Sequence, residues 1–307
     1  MPVRPAVGPD GGPWREKMKN KVIITAALAG SATMKQQNEA VPYTPEEFAG
    51  EALKCQQAGA AIVHVHARDV AEGGLPTADI PKIRATVDAI RDRCPGLILN
   101  MTSAIAAGIP AEKRIAPIVA LKPEMASLNT NSMNFALIDR KSGTVLAETI
   151  FENAFSMIVD FASKMKANGV KPELEIYDLG GIYNILALRN QKGLFEEPMH
   201  FQFVMGVAGG CPFDIGILHE FIETVPKDAT WSICGVGPNQ YATTLVGAAL
   251  GGHIRVGLED NVRNVDGSLS RGSYEQVEWA VKVARLAGRE IATPAEAREI
   301  LNLRRRD

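Results

Sequence analysis

Apolar positions along this chain recur with two different periods. Short β-branched and apolar runs, Val22–Ala27, Ala61–His66, Leu97–Thr102, Met125–Asn129, Glu173–Tyr177, Phe201–Met205, Trp231–Cys234 and Ile254–Glu259, read as strands. Between them lie longer amphipathic segments, among them Thr44–Ala58, Pro81–Arg93, Phe151–Asn168 and Tyr274–Ala287, which read as helices. Strand and helix in alternation predict a parallel sheet and an α/β protein, and eight such units close most economically as a (β/α)8 TIM barrel.

Helix punctuation agrees with this reading. Thr44-Pro45-Glu46-Glu47 and Thr293-Pro294-Ala295-Glu296 each present a capping residue, a proline at the first helical position and acidic first-turn residues. Gly59 and Gly169 stand where a left-handed residue would end a helix. The segment Asn131–Thr149 is long and irregular, and is expected to form a loop or small hairpin after the fourth strand. No domain-sized linker interrupts the rhythm, so residues 1–307 are expected to be one barrel domain, with residues 1–20 as an N-terminal extension.

Composition narrows the function classes. Across 307 residues the hydrophobic fraction is 46% and the charged fraction 22%, as in an ordinary globular protein with a sizeable core. A net charge of −2 gives no general attraction to nucleic acid or to an anionic membrane. No apolar run reaches membrane-spanning length. Met1–Lys21 has no apolar segment of the secretory type. The widely spaced Cys55, Cys94, Cys211 and Cys234 read as reduced thiols of a cytoplasmic protein. Arg304-Arg305-Arg306-Asp307 reads as a solvated helix end.

The polar residues inside the strands carry the chemistry. In a parallel barrel the outward face packs on helices, so polar residues alternating with apolar ones are expected inside. This parity places His64 and His66 inward with Val63 and Val65 outward. Likewise Arg255, Gly257 and Glu259 face inward, as do Glu173 and Glu175, and Ser127 and Asn129. Interior charges need partners, and Arg255 with Glu175 or Glu173 is the expected pair, which leaves Glu259 free. Strands two and eight feed the same interior layer, so His64, His66 and Glu259 are expected to converge at the carboxyl end. Two histidines and a carboxylate suit catalytic zinc, although manganese, cobalt or iron could occupy the same donors. Without metal, the same residues would form a structural ion-pair network. The glycine-rich loops Gly206–Gly210 and Gly235–Gln240 could cradle phosphates or a thioester oxygen through backbone amides, with Gly209, Gly210 and Gly235 as candidates, or could be plain turns.

These residues resemble the β-keto acid cleavage enzymes, whose founding activity is 3-keto-5-aminohexanoate cleavage. The similarity runs through Ile24-Thr25-Ala26-Ala27, Pro42–Glu47, Ala58–Asp69, Ser127-Leu128-Asn129 with Ser132–Phe135, Pro172–Glu175 and, most specifically, His253–Asn261. The resemblance implies a zinc-dependent carbon–carbon acyltransferase and a homotetramer. Its reaction would join a β-keto acid with acetyl-CoA to give acetoacetate and a new acyl-CoA. Carried over residue by residue, His64, His66 and Glu259 would be the zinc ligands. Asp260 would be the base working with Arg255, and Ser103 and Glu175 would be further catalytic residues. The inward-facing Asn129 is a further candidate to bind substrate or CoA.

Two stretches depart from the family. Where members acting on an amino keto acid carry an acidic residue after the first strand, this chain reads Gly30-Ser31-Ala32-Thr33-Met34-Lys35, and Ala32 offers no carboxylate. The loop after the third strand, Thr102–Gly108, is less glycine-rich than is usual. Both favour a neutral or apolar β-keto acid. The competing readings are a zinc hydrolase or aldolase acting without CoA, and an inert ligand-binding barrel.

Overall fold

The computed structural model describes residues 20–139, 141–191 and 193–304. Most of the expected N-terminal extension, the Met1–Lys21 segment up to Lys19, and Arg305, Arg306 and Asp307 lie outside these residues.

Eight parallel strands close into a barrel in chain order: β1 Ile24–Ala29, β2 Ile62–Val65, β3 Ile98–Met101, β4 Met125–Asn129, β5 Lys171–Ile176, β6 His200–Met205, β7 Thr230–Gly235 and β8 His253–Val256, with β8 pairing back on β1. The predicted (β/α)8 architecture is therefore the observed one. Val63, Val65, Leu174, Ile176, Ile254 and Val256 belong to the apolar core with helix residues such as Phe48, Phe161 and Phe221. The alternate positions His64, Asn100, Ser127, Glu173, Gln202 and Ser232 are buried and polar, as strand parity requires.

Local signals set the helix ends. Helix α1, Pro45–Ala58, carries a complete capping box between Thr44 and Glu47 and stops at left-handed Gly59. The final helix, Pro294–Leu301, repeats the box with Thr293 and Glu296. The segment after β4 is an antiparallel hairpin, Met133–Ile138 with Val145–Phe151, as expected. It runs further than the sequence pattern indicated. Phe151 closes the hairpin, and the next helix begins at Phe155 rather than Phe151. The intervening turn is tied down from outside, because Arg114 donates to Glu152 O and Asn153 Oδ1, and Asn153 donates to Asn131 O.

The first predicted strand is divided. Lys21–Val22 pairs with Glu290–Ile291 beneath the barrel, and Ile23 N–H donates to His253 Nδ1 at 3.1 Å, so the barrel strand starts at Ile24. His253 thereby belongs to the floor of the barrel. His200 sits near it, 2.8 Å from Thr230 Oγ1 and 3.3 Å from Ser232 Oγ, while Ser232 donates to Gln202.

Burial pushes the pKa of His200 down to about 3. Below pH 6.5 the unfolded chain takes up a proton there that the folded chain refuses, so stability falls with pH between about 6.5 and 3. His200→Gln should remove about 1.4 kcal/mol of that fall for each pH unit in the window. Urea unfolding of both proteins at pH 6.5, 5.5 and 4.5 measures this directly, and parallel curves would show that His200 protonates in the native state.

Candidate active site

The site is built at the carboxyl ends of the strands, where two of them stop earlier than expected. β2 ends at Val65 and His66 follows it, both histidines remaining buried. β8 ends at Val256 because Gly257 turns the chain at φ +151°, in a position where a Cβ would run into the Ala27 backbone. Gly257 O then accepts from the amides of Asp260 and Asn261, and Glu259 N–H donates to Ala27 O at 3.2 Å.

That turn corrects the expected ion pairing. It folds both Glu259 and Asp260 back onto Arg255, which strand parity would have assigned to opposite faces. The guanidinium holds Asp260 with two bonds of 2.9 Å, donates to Glu259 Oε1 at 2.6 Å, and reaches Glu175 Oε1 at 3.5 Å. Glu259 is therefore not free of Arg255. Glu173 lies elsewhere, accepting from Asn100 Nδ2 at 2.6 Å with His200 Nε2 at 3.8 Å.

His64, His66 and Glu259 converge as parity and topology predicted. One donor atom from each lies within 4.8 Å of the others. His64 Nε2 is 3.8 Å from Glu259 Oε2, and His66 Nε2 is 3.5 Å from Oε1. Glu259 Oε2 is buried without a hydrogen-bond partner. Burial, reinforced by the positive charge of Arg255 at His64 and by those of Arg68 and Arg255 at His66, keeps both imidazoles neutral, with His66 pushed down to about 3. Neutral imidazoles and an open carboxylate oxygen are what a divalent metal requires, so the residues present fit such an ion.

The acids around Arg255 are strained electrostatically. Burial raises the pKa of Asp260, with Arg255 opposing the rise. Burial likewise lifts Glu175 to about 8, again against the pull of Arg255. Tyr177 lies beside it, its hydroxyl 3.5 Å from Glu175 Oε2.

The remaining candidates fall in two groups. Ser103 and Asn129 are buried at the ends of β3 and β4, where Ser103 Oγ and both polar atoms of the Asn129 amide have no partner. Ser103 is fixed through its backbone, its N–H donating to Ser127 Oγ and its carbonyl accepting from Arg114. Gly209 and Gly210 lie after β6, and Gly235 is the last residue of β7. Gly209 packs on the Asn134 carbonyl, and Gly210 lies against Tyr177 O with its own N–H given to Val207 O. Gly235 is pressed against the Asn239 backbone.

One functional group has no role in the sequence reading. Arg68 continues the i, i+2 series of His64 and His66, a parity signal that could have marked it as inward-facing, and its guanidinium is buried beside the loop after β1.

Residues 21–303 match the beta-keto acid cleavage enzyme family. The chain is 40% identical over 290 residues to the 3-keto-5-aminohexanoate cleavage enzyme of Fusobacterium nucleatum, covering 94% of this chain and all of that one. It is 35% identical to the 3,5-dioxohexanoate:acetyl-CoA acetone transferase of Paraburkholderia graminis, covering 93% and 97% of the two chains. Among solved structures, the binary complex of ObcA with oxaloacetate superposes with a TM-score of 0.70 at 22% identity, over 86% of this chain and 67% of that one, a likeness of fold.

Proposed function

The chain belongs to the beta-keto acid cleavage enzyme family, and from that membership we propose that it transfers the acyl group of a β-keto acid to CoA at the expense of acetyl-CoA. The net reaction joins R–CO–CH2–COO⁻ and acetyl-CoA to give acetoacetate and R–CO–CoA. The observation that carries this reading is the triangle of His64, His66 and Glu259 backed by the Arg255–Asp260 pair. The relatives' names support it, since one is a cleavage enzyme and the other an acetyl-CoA-dependent transferase.

His64, His66 and Glu259 would hold the metal, with zinc the best match to two imidazoles and one carboxylate. When bound, the ion supplies Lewis-acid polarisation of the substrate's oxygens, which lowers the cost of removing a C2 proton. Asp260 takes that proton through an oxygen that Arg255 holds in place, and returns it to acetoacetate after the acyl group has moved. Arg255 offsets the negative charge as it develops. Asn129 and Ser103 offer buried, unpaired polar atoms to orient the substrate. Glu175, with its raised pKa, is protonated at neutral pH and serves as a hydrogen-bond donor. The loop bearing Gly209 and Gly210 and the end of β7 at Gly235 lie at the same end of the barrel and would line the approach of CoA.

The substrate tail is proposed to be neutral or apolar. Ala32 stands exposed on the loop beside Glu259, and carries nothing to pair with an ammonium group. Exposed Leu137, Leu146 and Ile150 on the hairpin suit burial in the homotetramer that the resemblance implies. None of the described helices is long and apolar enough to cross a membrane, and the four free cysteines suit a cytoplasmic setting.

The test is acetoacetate formation from a panel of β-keto acids, with and without acetyl-CoA, alongside the metal content of the purified protein. Acetoacetate is expected only with acetyl-CoA, and faster from neutral 3-oxoacids than from 3-keto-5-aminohexanoate. His66→Ala should retain no metal and form no acetoacetate above background. Product without acetyl-CoA would replace this reading with a hydrolase or aldolase on the same donors, and preference for the amino substrate would overturn the tail assignment.

A further inference from the structure

Arg68 lies two residues beyond His66 and is buried where the loops after β1 and β2 meet. Its guanidinium donates to three backbone carbonyls: Gly30 O, Thr33 O at 2.7 Å and Gly74 O at 2.8 Å. Met34 Sδ lies 3.3 Å from one nitrogen, and the Tyr43 ring packs 5.5 Å from the guanidinium carbon. These partners cross-link residues 30–34 to the turn at Gly74.

The loop so fixed is a wall of the Glu259 side chain. Thr33 Oγ1 donates to Glu259 O at 3.0 Å. Gly30 lies so close that a Cβ there would overlap Glu259 Cγ. The Glu259 side chain is therefore clasped from two sides. Arg255 holds one carboxylate oxygen directly, and the Arg68-bound loop holds the backbone and the base of the side chain, leaving Oε2 open.

We infer that Arg68 is a positioning residue for the third metal ligand, acting through the Gly30–Thr33 loop to hold the Glu259 carboxylate against His64 and His66. The inference rests on the metal-binding reading of these residues. Its physical basis is that a metal ligand held by outer hydrogen bonds binds about 10–100 times more tightly than one left to reorient. Lysine retains the charge of Arg68 but cannot reach three carbonyls in a fixed fork.

Zinc dissociation constants from chelator competition separate this role from simple stabilisation. Arg68→Lys is expected to weaken zinc binding about tenfold and Arg68→Met about 100-fold. Thr33→Val, which removes the link to Glu259 O while leaving Arg68 in place, should show a smaller loss. Arg289→Lys is the matched control, because Arg289 is an equally buried guanidinium that donates to the carbonyls of Lys21, Ala248, Gly251 and Gly252 at the far end of the barrel. It should lower the Tm without changing zinc affinity. Zinc affinity unchanged in both Arg68 variants, or lost equally in Arg289→Lys, would overturn the inference while leaving the metal site standing. A wild-type protein that binds no divalent ion would overturn the metal reading and this one with it.

Discussion

Arg255→Met should destabilise the protein by about 3–5 kcal/mol and abolish turnover, because a single guanidinium neutralises the carboxylates of Asp260 and Glu259 in a buried cluster that also holds the protonated Glu175. Asp260, Glu259 and Glu175 all lie within 3.5 Å of it, and Asp260 and Glu175 are almost fully buried. Removing it leaves carboxylates that neither water nor another cation can solvate in place. A loss of that size is a large share of the stability of an ordinary domain. The deficit should shrink as the pH falls. Without Arg255 the folded-state pKa values of these acids rise further above their unfolded values, so the variant gains stability as they protonate and loses it as pH climbs through them. Denaturant unfolding of both proteins at pH 5 and pH 8 checks both statements. A difference below about 1 kcal/mol at pH 8 would mean that water reaches the cluster and screens it as a surface pair.

Asp260→Asn is expected to lower kcat by about 10²–10⁴-fold while leaving metal content unchanged. The amide keeps the shape of the side chain and one acceptor for Arg255, yet it cannot take a proton from carbon. Because the ligands His64, His66 and Glu259 are untouched, KM for the β-keto acid should move far less than kcat. Steady-state kinetics with acetyl-CoA saturating separates the two. A kcat within tenfold of wild type would mean that Asp260 is not the base.

Much of the architecture was legible because strand parity and helix capping are local. Buried strands in a parallel barrel must put apolar residues outward, so His64, Asn129 and Glu175 could be assigned inward from their neighbours alone. Thr44 and Thr293 announced their helices for the same reason, since a capping box closes within four residues. Parity failed where the strand itself ended. Beyond Gly257 the period of two no longer applies, and Glu259 and Asp260, adjacent in sequence, turn to the same arginine. The helix expected from Phe151 was displaced in the same way, by Arg114 reaching across to Glu152 and Asn153 from another element.

The sequence by itself determined that strands and helices alternate into a closed parallel barrel, and that two histidines share a face near an inward arginine and glutamate. Residue type and spacing suffice for that, because burial of one face imposes a period that every strand must obey. Only the tertiary structure decided how the charges divide. Arg255 serves three acids at once, Glu173 goes to Asn100, and Arg68 ties the carbonyls of a loop more than thirty residues upstream to the turn at Gly74. Such partnerships depend on which strand ends lie side by side when the barrel closes, and on turns whose direction is set by packing against neighbouring backbone, neither of which has a period in the sequence.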